Sequence, residues 1–360
     1  SNLDLTTGKI VLASDDNSGP NIDTYKKNFG PRFGFTYSPD DGKTAVRGSF
    51  GMGYFVGNFG ANGGTLERNY PFFQTFSLAA SNQFTPFSRL SVDGLPGYIS
   101  QPLTPTITPP AGLSLFYIPR NFRQETVVMW QFSIQRQVSS SGVAEIAYVG
   151  NHGYHLFSGN RNINTPLAPG PGAIDPRRPY FSILPNNQTI NQRNSDGSSH
   201  YHGAQFKYSK RLSAGLQALV SYTFSKTIDD YSLIWPHDNR LNRGLSTGTN
   251  GSKTFDVPHL FSASYLYELP FGKNRKFLAA IPTAADFVLG GWQVNGITSI
   301  RSGAPLLVTV PPSQLNTGSG NWANITCSEV DHPKTVELWF NTSCFTAPAQ
   351  FQFGNSGKGH

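Results

Sequence analysis

Residues 123–154 read RQETVVMWQFSIQRQVSSSGVAEIAYVGNHGY, and this stretch decides the fold. Apolar and polar residues alternate along its first arm, a period of two that predicts a β-strand with one apolar face. That face holds Thr126, Val128, Trp130, Phe132 and Ile134. Residues 139–142 (SSSG) predict a tight turn, after which Ala144, Ile146 and Tyr148 continue the apolar face. Each arm has about ten residues or more, the length that a tilted strand needs to cross a bilayer, whereas most soluble strands have about 5–6.

The composition also favours a membrane barrel over a soluble domain. Charged residues make up 14% of the 360 residues, against about 25% in soluble domains. Aromatic residues reach 13%, and Gly and Pro are abundant, with 37 and 26 copies. The mean hydropathy is only −0.32, and no apolar run is long enough for a transmembrane helix. A transmembrane β-barrel fits these values because alternation dilutes the apolar residues of its strands.

The formal charge of +7 and the pI near 9.3 raise the question of a nucleic-acid partner. Lys and Arg are scattered along the chain, and no run of five or more like charges occurs. We therefore predict no nucleic-acid partner and place these charges at turns and loops.

Three further segments show the same alternation. We predict four hairpins, near residues 33–55, 124–154, 203–226 and 257–302. The Gly-, Pro- and Asn-rich stretches between them are predicted as long loops, at 56–122, 157–202, 227–256 and 303–360. Short turns within hairpins and long connections between them are typical of outer-membrane barrels, with short periplasmic turns and long extracellular loops. The predicted fold class is all-β, a transmembrane antiparallel β-barrel that forms part of a larger barrel.

Two cysteines, Cys327 and Cys344, lie close together in the last of these loops. A small, even number of cysteines in an otherwise cysteine-free chain predicts one disulfide, made in an oxidising compartment. Two unpaired thiols are the alternative. A zinc site would need more ligands than the segment between the cysteines offers, since His332 is its only histidine.

We predict no catalytic site, metal site or cofactor. The sequence has no G-x-S-x-G nucleophile elbow, and its glycine-rich stretches have the wrong spacing for a phosphate-binding loop. His200 and His202 would share one strand face and could ligate a metal, but no cysteine or carboxylate partner lies nearby in the sequence. Exposed imidazoles at a loop edge are the favoured interpretation.

Several stretches resemble the C-terminal barrel of TonB-dependent receptors of the Oar-like type, which is common in acidobacteria. They include NFGPRFGFTYSPDDGKTAVRGSFGMGYF at 28–55 and FKYSKRLSAGLQALVSYTFSKTIDD at 206–230. The others lie at 144–156, 256–277, 290–308 and 339–345. Because the matching stretches follow one another along most of the chain, the resemblance is fairly specific.

This resemblance implies a receptor of the bacterial outer membrane, with a barrel of about 22 strands that is plugged by an N-terminal domain. It also implies two partners, the outer-membrane lipid and the TonB complex, which supplies energy from the inner membrane. The sequence shows no TonB box, no plug domain and no terminal strand with a closing aromatic residue. We therefore expect the chain to be a fragment of a longer protein, in which the missing N-terminal region contacts TonB.

The candidate ligand-binding residues are aromatic side chains in the predicted loops, because loops carry recognition while a barrel holds them in place. They are Tyr70, Phe72, Phe73, Tyr98, Phe116 and Tyr117. Aromatic residues on the strands, such as Tyr222 and Tyr265, are interpreted as a lipid-facing girdle and not as a sugar-stacking platform. The sequence does not identify the ligand.

Two alternatives to a transporter remain open. The chain could be a structural or adhesive surface protein whose loops bind cells, matrix or protein partners. It could also be a secreted β-protein that binds carbohydrate. A soluble protein would have to cover the face of Trp130, Phe132 and Ile134 with a second sheet, whereas a barrel would leave that face to lipid.

Overall fold

The computed structural model describes residues 1–13, 22–55, 69–73, 84, 103–157, 160–187, 189–230, 244–245, 256–303, 305, 308–318 and 320–356. Its main feature is one antiparallel sheet in which each long strand pairs with the next along the chain. The eight long strands are β1 Arg32–Tyr37, β2 Thr44–Tyr54, β3 Thr126–Gln137, β4 Gly142–Leu156, β5 Gly197–Ser213, β6 Leu216–Asp229, β7 His259–Glu268 and β8 Gln293–Arg301. A short strand, Gly244–Leu245, also pairs with β6. Over the described residues the sheet is open, with β1 and β8 at its edges.

The strands are long enough to cross a bilayer. The shortest of β2 to β8 has 9 residues and the longest has 17, against the about 9–11 that a tilted strand needs. The third pair of strands runs from residue 197 to residue 229 and thus extends beyond the predicted 203–226 at both ends. The alternation is lost in these extensions, because Gly197–His200 and Lys226–Asp229 are mostly polar on both faces.

The register divides the sheet into two chemically different faces. One row of directly paired residues crosses all eight strands and is apolar throughout. Its members are Tyr37, Val46, Ile134, Ile146, Phe206, Tyr222, Phe261 and Ile300. We call this side the apolar face. Six of these residues, all except Val46 and Phe261, are large exposed hydrophobics, so the described part of the chain leaves most of this row uncovered.

The opposite side, which we call the polar face, carries the residues between those of the apolar row. One row of it holds Thr36, Arg47, Ser133, Ala147, Gln205, Thr223, Leu260 and Arg301. Arg47 thus lies in the middle of a strand, and Arg136 and Lys210 also lie within strands, which corrects the expectation that these charges sit at turns and loops. Arg47 lies on the polar face. Arg136 and Lys210 have the same parity as Ile134 and Phe206 and therefore lie on the apolar side, near the turn ends of their strands.

Aromatic rings lie across glycines on the apolar face. A Cβ atom built on Gly150 would lie 2.4–2.6 Å from three atoms of the Trp130 indole, and one on Gly48 would lie 2.2 Å from the Phe35 ring. Each glycine therefore makes room for the ring of a neighbouring strand. The ring in turn covers backbone that glycine would leave bare.

We expect Gly150→Ala to destabilise the sheet by about 2 kcal/mol, because the added methyl group overpacks against the Trp130 ring. Gly53→Ala is the matched control. A Cβ at Gly53 has no atom within 4 Å, so that variant should be neutral or slightly more stable. The stability of both variants is measured by urea unfolding of the protein in lipid vesicles, with tryptophan fluorescence as the signal. Equal midpoints for the two variants would contradict the packing argument.

The connections differ in length between the two ends of the sheet. The turn side carries residues 38–43, 138–141, 214–215 and 269–292, and the last of these includes one short helix, α1 Thr283–Leu289. The other end, which we call the loop side, carries residues 55–125, 157–196 and 230–258 and the segment after β8. Among the described helices, none is long and apolar enough to cross a membrane.

The loop side holds a small folded unit, which we call the cap. It consists of residues 1–13, 69–73, 103–122, 160–187 and 189–193 and contains two three-stranded sheets. The first sheet is made of Asn2–Leu3, Ile10–Val11 and Thr106–Ile107, and the second of Leu115–Tyr117, Ile190–Arg193 and Asn160–Asn162. A hydrophobic core joins them, formed by Leu3, Ile10, Leu12, Tyr70, Ile107, Leu115, Leu184 and Ile190.

The cap corrects the prediction of irregular loops at 56–122 and 157–202. Parts of both stretches form ordered strands and bury apolar side chains, although each strand has only 2–4 residues. Strands this short show no readable period, and their partners lie far away in the sequence. The segment 303–360 also contains two short strand pairs, Thr309–Val310 with Asn321–Trp322 and Asn324–Ile325 with Phe345–Thr346.

Candidate ligand-recognition surface

The predicted ligand-binding aromatics lie in different environments. Tyr70 is only 1% exposed and belongs to the cap core, so it has a structural position and not a surface one. Its burial follows from the apolar side chains that the first and second cap sheets direct toward each other. A ligand at the surface of this structure would not reach its ring.

Phe72 and Phe73 follow Tyr70 and remain at the surface, with exposed fractions of 57% and 49%. Phe116 and Tyr117 are half-buried on one strand of the second cap sheet, where Tyr117 packs against the cap core. Burial raises the pKa of the Tyr117 hydroxyl, and the nearby Tyr180 and Asp4 act in the same direction, so this hydroxyl stays neutral. Tyr98 lies outside the described residues.

Asparagine side chains hydrogen-bond to the strand Leu115–Tyr117 along the edge that does not pair with Ile190–Arg193. Asn69 donates from Nδ2 to the Phe116 carbonyl and accepts the Phe116 N–H at Oδ1, both at 2.7 Å. Asn2 does the same for Ile118, at 2.7 and 2.9 Å. Each amide replaces the backbone of a missing neighbour strand, which satisfies polar groups that burial would otherwise leave costly. Phe72 and Phe73 are therefore attached to a fixed point, Asn69, three or four residues away.

Two more asparagines fasten the other part of the cap. Asn164 is fully buried, donates to the Asn187 carbonyl at 2.9 Å and accepts the Tyr180 N–H at 3.0 Å. Asn187 donates to the carbonyls of Pro110 and Leu113, at 2.9 and 3.0 Å. These bonds join residues 110–113 to residues 164–187. The only sign of these hydrogen bonds in the sequence is the high frequency of Asn in the predicted loops.

Arg193 lies where the cap meets the strands, and sequence reasoning missed it. It is buried, and its guanidinium lies 4.1 Å from the centroid of the Phe157 ring and 5.7 Å from that of Phe122. Burial lowers the pKa of this guanidinium, and the charge of Glu125 opposes the effect. Glu125 also accepts the Phe157 N–H at 2.8 Å. The contacts of this charge with two rings link the cap to the ends of the long strands.

The polar face below the cap offers hydrogen-bonding groups of both kinds. Arg47 donates to Gln135 at 2.6 Å, and Glu145 lies directly opposite Lys207 on the neighbouring strand. A cavity of about 290 Å³ opens near the turn side of this face, lined by Gln135, Glu145 and Lys207 among others. Such a surface suits a passing polar solute or a plug domain.

The segment after β8 contains a loop that a disulfide closes. Cys327 and Cys344 form a disulfide, the pairing that the sequence predicted. We call residues 327–344 the finger. Backbone bonds between Asp331 and Asn341 and between Lys334 and Trp339 close its two sides, and Val336 at its tip is 100% exposed. Trp339 is exposed as well, so the finger presents an apolar tip on a constrained loop.

No group of three or more His, Cys, Asp or Glu residues stands together in the part of the chain that the structure describes. His200 and His202 do share the apolar face of β5, as the alternation predicts. His200 stacks on His152 of β4, with ring centroids 4.1 Å apart. His202 bonds instead to Tyr148, so the two predicted neighbours have separate partners.

The chain has low similarity to several solved structures of outer-membrane proteins. The FrpB iron transporter from Neisseria meningitidis (F3-3 variant) matches with 12% identity and a TM-score of 0.36, over 67% of this chain and 24% of that one. The alcaligin outer membrane receptor FauA from Bordetella pertussis matches with 14% identity and a TM-score of 0.31, over 69% and 27%. This chain thus spans about a quarter of the length of these proteins. The chain matches no curated protein.

The family comparison is decisive. The model of the outer membrane beta barrel domain matches residues 1–360. It agrees with the two-faced sheet, the long strands and the unequal connections. The chain therefore belongs to the outer membrane beta barrel domain family, and its location is the bacterial outer membrane.

Proposed function

We propose that this chain is part of the barrel of a TonB-dependent receptor of the Oar-like type, which binds a ligand on its loop side and moves it across the outer membrane. The loop side would be extracellular and the turn side periplasmic, following the rule for outer-membrane barrels. The whole barrel would have about 22 strands, of which this sheet supplies eight long ones.

One observation carries this proposal: the long connections leave one end of the sheet, and the described parts of two of them fold with residues 1–13 into a cap with its own core. A cap that is fixed by Asn2, Asn69 and Arg193 can hold a binding surface in a constant position above the barrel. Phe72 and Phe73 are the exposed aromatics of that cap that we propose as ligand contacts. The ligand itself remains unidentified, and no catalytic step or cofactor is proposed.

The ligand would cross the membrane along the polar face of the sheet. We propose that a plug domain, supplied by a part of the protein outside this chain, contacts the row that includes Arg47, Gln205 and Arg301. The same N-terminal region would contact TonB, which would deliver the energy for moving the plug. Outer-membrane lipid would cover the apolar face.

The test compares uptake in three strains of the native host: wild type, a strain lacking this protein and a strain lacking TonB. Untargeted mass spectrometry of the growth medium should find at least one compound that only the wild type depletes. In a fourth strain, Phe72→Ala with Phe73→Ala should slow depletion of that compound several-fold while the barrel still assembles. If no compound depends on both the protein and TonB, transport is excluded.

An adhesive role is the second candidate, and the finger is the observation that favours it. Its disulfide closes a loop that carries an exposed valine and an exposed tryptophan, and tryptophan is frequent among the residues that dominate protein interfaces. In that case the strain lacking the protein would deplete every compound normally but lose surface attachment. The secreted carbohydrate-binding alternative is disfavoured, because no second sheet covers the apolar row in the described residues.

A further inference from the structure

The same tyrosine–histidine pair occurs twice on the apolar face. On β4 and β5 the Tyr148 hydroxyl lies 2.7 Å from Nδ1 of His202. On β6 and β7 the Tyr222 hydroxyl lies 2.8 Å from Nδ1 of His259. In both pairs the histidine stands one diagonal step closer to the loop side than the tyrosine, and the two rings lie nearly parallel.

Each pair fixes how its histidine can bond to a further group. When the tyrosine hydroxyl donates to Nδ1, the neutral imidazole carries its proton on Nε2. His202 and His259 are exposed, so that Nε2–H can donate to a group outside the protein. In that tautomer the two histidines are oriented donors on the face that carries the apolar row.

Lys226 stands between the two histidines. It lies directly opposite His202 on β5. His259 on β7 is opposite Phe224, two residues before Lys226 on β6, and is therefore its diagonal neighbour. Diagonal positions on one face are about 7–8 Å apart, which a lysine side chain can span. The three donor groups thus occupy neighbouring, exposed positions of one face on three adjacent strands.

No carboxylate of the eight long strands lies on this face. The eight long strands contain three carboxylates, Glu145, Asp229 and Glu268, and the register puts all of them on the polar face. Among the residues of the long strands, Lys226 therefore has no carboxylate beside it on the side of the sheet that would meet lipid. A basic group at this position is costly in hydrocarbon but favourable at a headgroup that carries negative charge.

The position of these three residues on the apolar face also indicates what they bind. Toward the turn side of this spot the face is apolar, with Phe206, Tyr222 and Phe261 in one row. Toward the loop side β7 begins at His259, so the spot lies at the limit of the apolar surface. Lipid chains would cover the row, and the headgroup of the same lipid would lie beside Lys226. We propose that His202, Lys226 and His259 bind the phosphate group of an outer-membrane lipid.

The test uses the intact protein purified in detergent and two lipid probes with identical chains, phosphatidic acid and diacylglycerol, which differ only in the phosphate. Native mass spectrometry should show retained phosphatidic acid and little diacylglycerol. Lys226→Gln should lower phosphatidic acid retention at least fivefold, and His202→Gln with His259→Gln should lower it several-fold. Lys207→Gln, on the neighbouring strand but the opposite face, is the matched control and should retain wild-type binding. All variants are first checked for folding by heat-modifiable migration in gels.

Tyr148→Phe tests the orientation of His202 without changing any charge. We expect it to weaken retention less than the double histidine variant does. Equal retention by Lys226→Gln and wild type, or equal losses in Lys226→Gln and Lys207→Gln, would overturn the proposal. So would complete displacement of the lipid by millimolar inorganic phosphate, since the site would then recognise a free ion and not a lipid. The test does not involve ligand uptake, and its outcome is independent of the proposed transport.

Discussion

Replacing Leu115 by alanine should destabilise the cap by about 3 kcal/mol and leave the barrel intact. Leu115 is fully buried in the cap core, and its strand pairs in parallel with Ile190. Removing the isobutyl group leaves a cavity that backbone bonds to residues 189–192 prevent from collapsing. The eight long strands share no core residue with the cap, so their packing is unaffected.

Hydrogen exchange by mass spectrometry measures this effect segment by segment. Amides of residues 115–117 and 190–192 should exchange faster in Leu115→Ala by about the factor that corresponds to 3 kcal/mol, whereas amides of β4 and β5 should keep their protection. Leu167→Ala is the control, because Leu167 is a leucine of the same cap that is 73% exposed. If β4 and β5 lost protection together with the cap, the two would form one cooperative unit and our division would be wrong.

The sheet was predictable because its information is local. A period of two over nine or more residues is visible in a single segment, and the residues of the apolar row, such as Ile134, Ile146 and Phe206, alternate with polar ones in each strand. The turns were equally readable, since residues 39–42 and 139–142 have the residue types that turns require. The disulfide followed from the number and the proximity of the cysteines.

The cap was not predictable because its information is non-local. Leu115 pairs with Ile190, and Asn69 bonds to Phe116, so no window of sequence contains both partners. The same reason explains Tyr70, which shares its loop composition with Phe72 and Phe73 but is buried by residues far away in the chain. Loop composition predicts a surface position, and only the tertiary contacts decide which aromatic is a core residue.

The tyrosine–histidine pairs were predictable only in part, because their faces follow from local alternation but their pairing does not. The alternation places Tyr148 and Tyr222 on the apolar face, and the histidines follow the same rule. Pairing His202 with Tyr148, however, requires the register between strands that a long connection separates. A shift by one residue would move the whole strand to the other face, so the register could not be guessed from composition.

Removing the disulfide should have the second large effect. We expect Cys327→Ser with Cys344→Ser to destabilise the finger by about 3 kcal/mol, because the bond closes a loop with a sequence separation of 17 and restricts the unfolded chain. Backbone bonds such as Asn341 to Asp331 at 2.8 Å remain, but most of the finger is exposed and buries little apolar surface. The finger should therefore open while the barrel and the cap remain folded.

Limited proteolysis measures the opening directly. A protease that cleaves after Lys334 should cut the double serine variant at least tenfold faster than the wild type, with no new cuts in β1 to β8. Reductant should bring the wild type to the rate of the variant and should not change the variant itself. Val336→Ser is the control, because it alters the exposed tip without breaking the covalent link, and it should be cut at the wild-type rate. Equal rates in oxidised wild type and double variant would mean that the hydrogen bonds alone hold the finger closed, and the disulfide would then have no measurable effect on its stability.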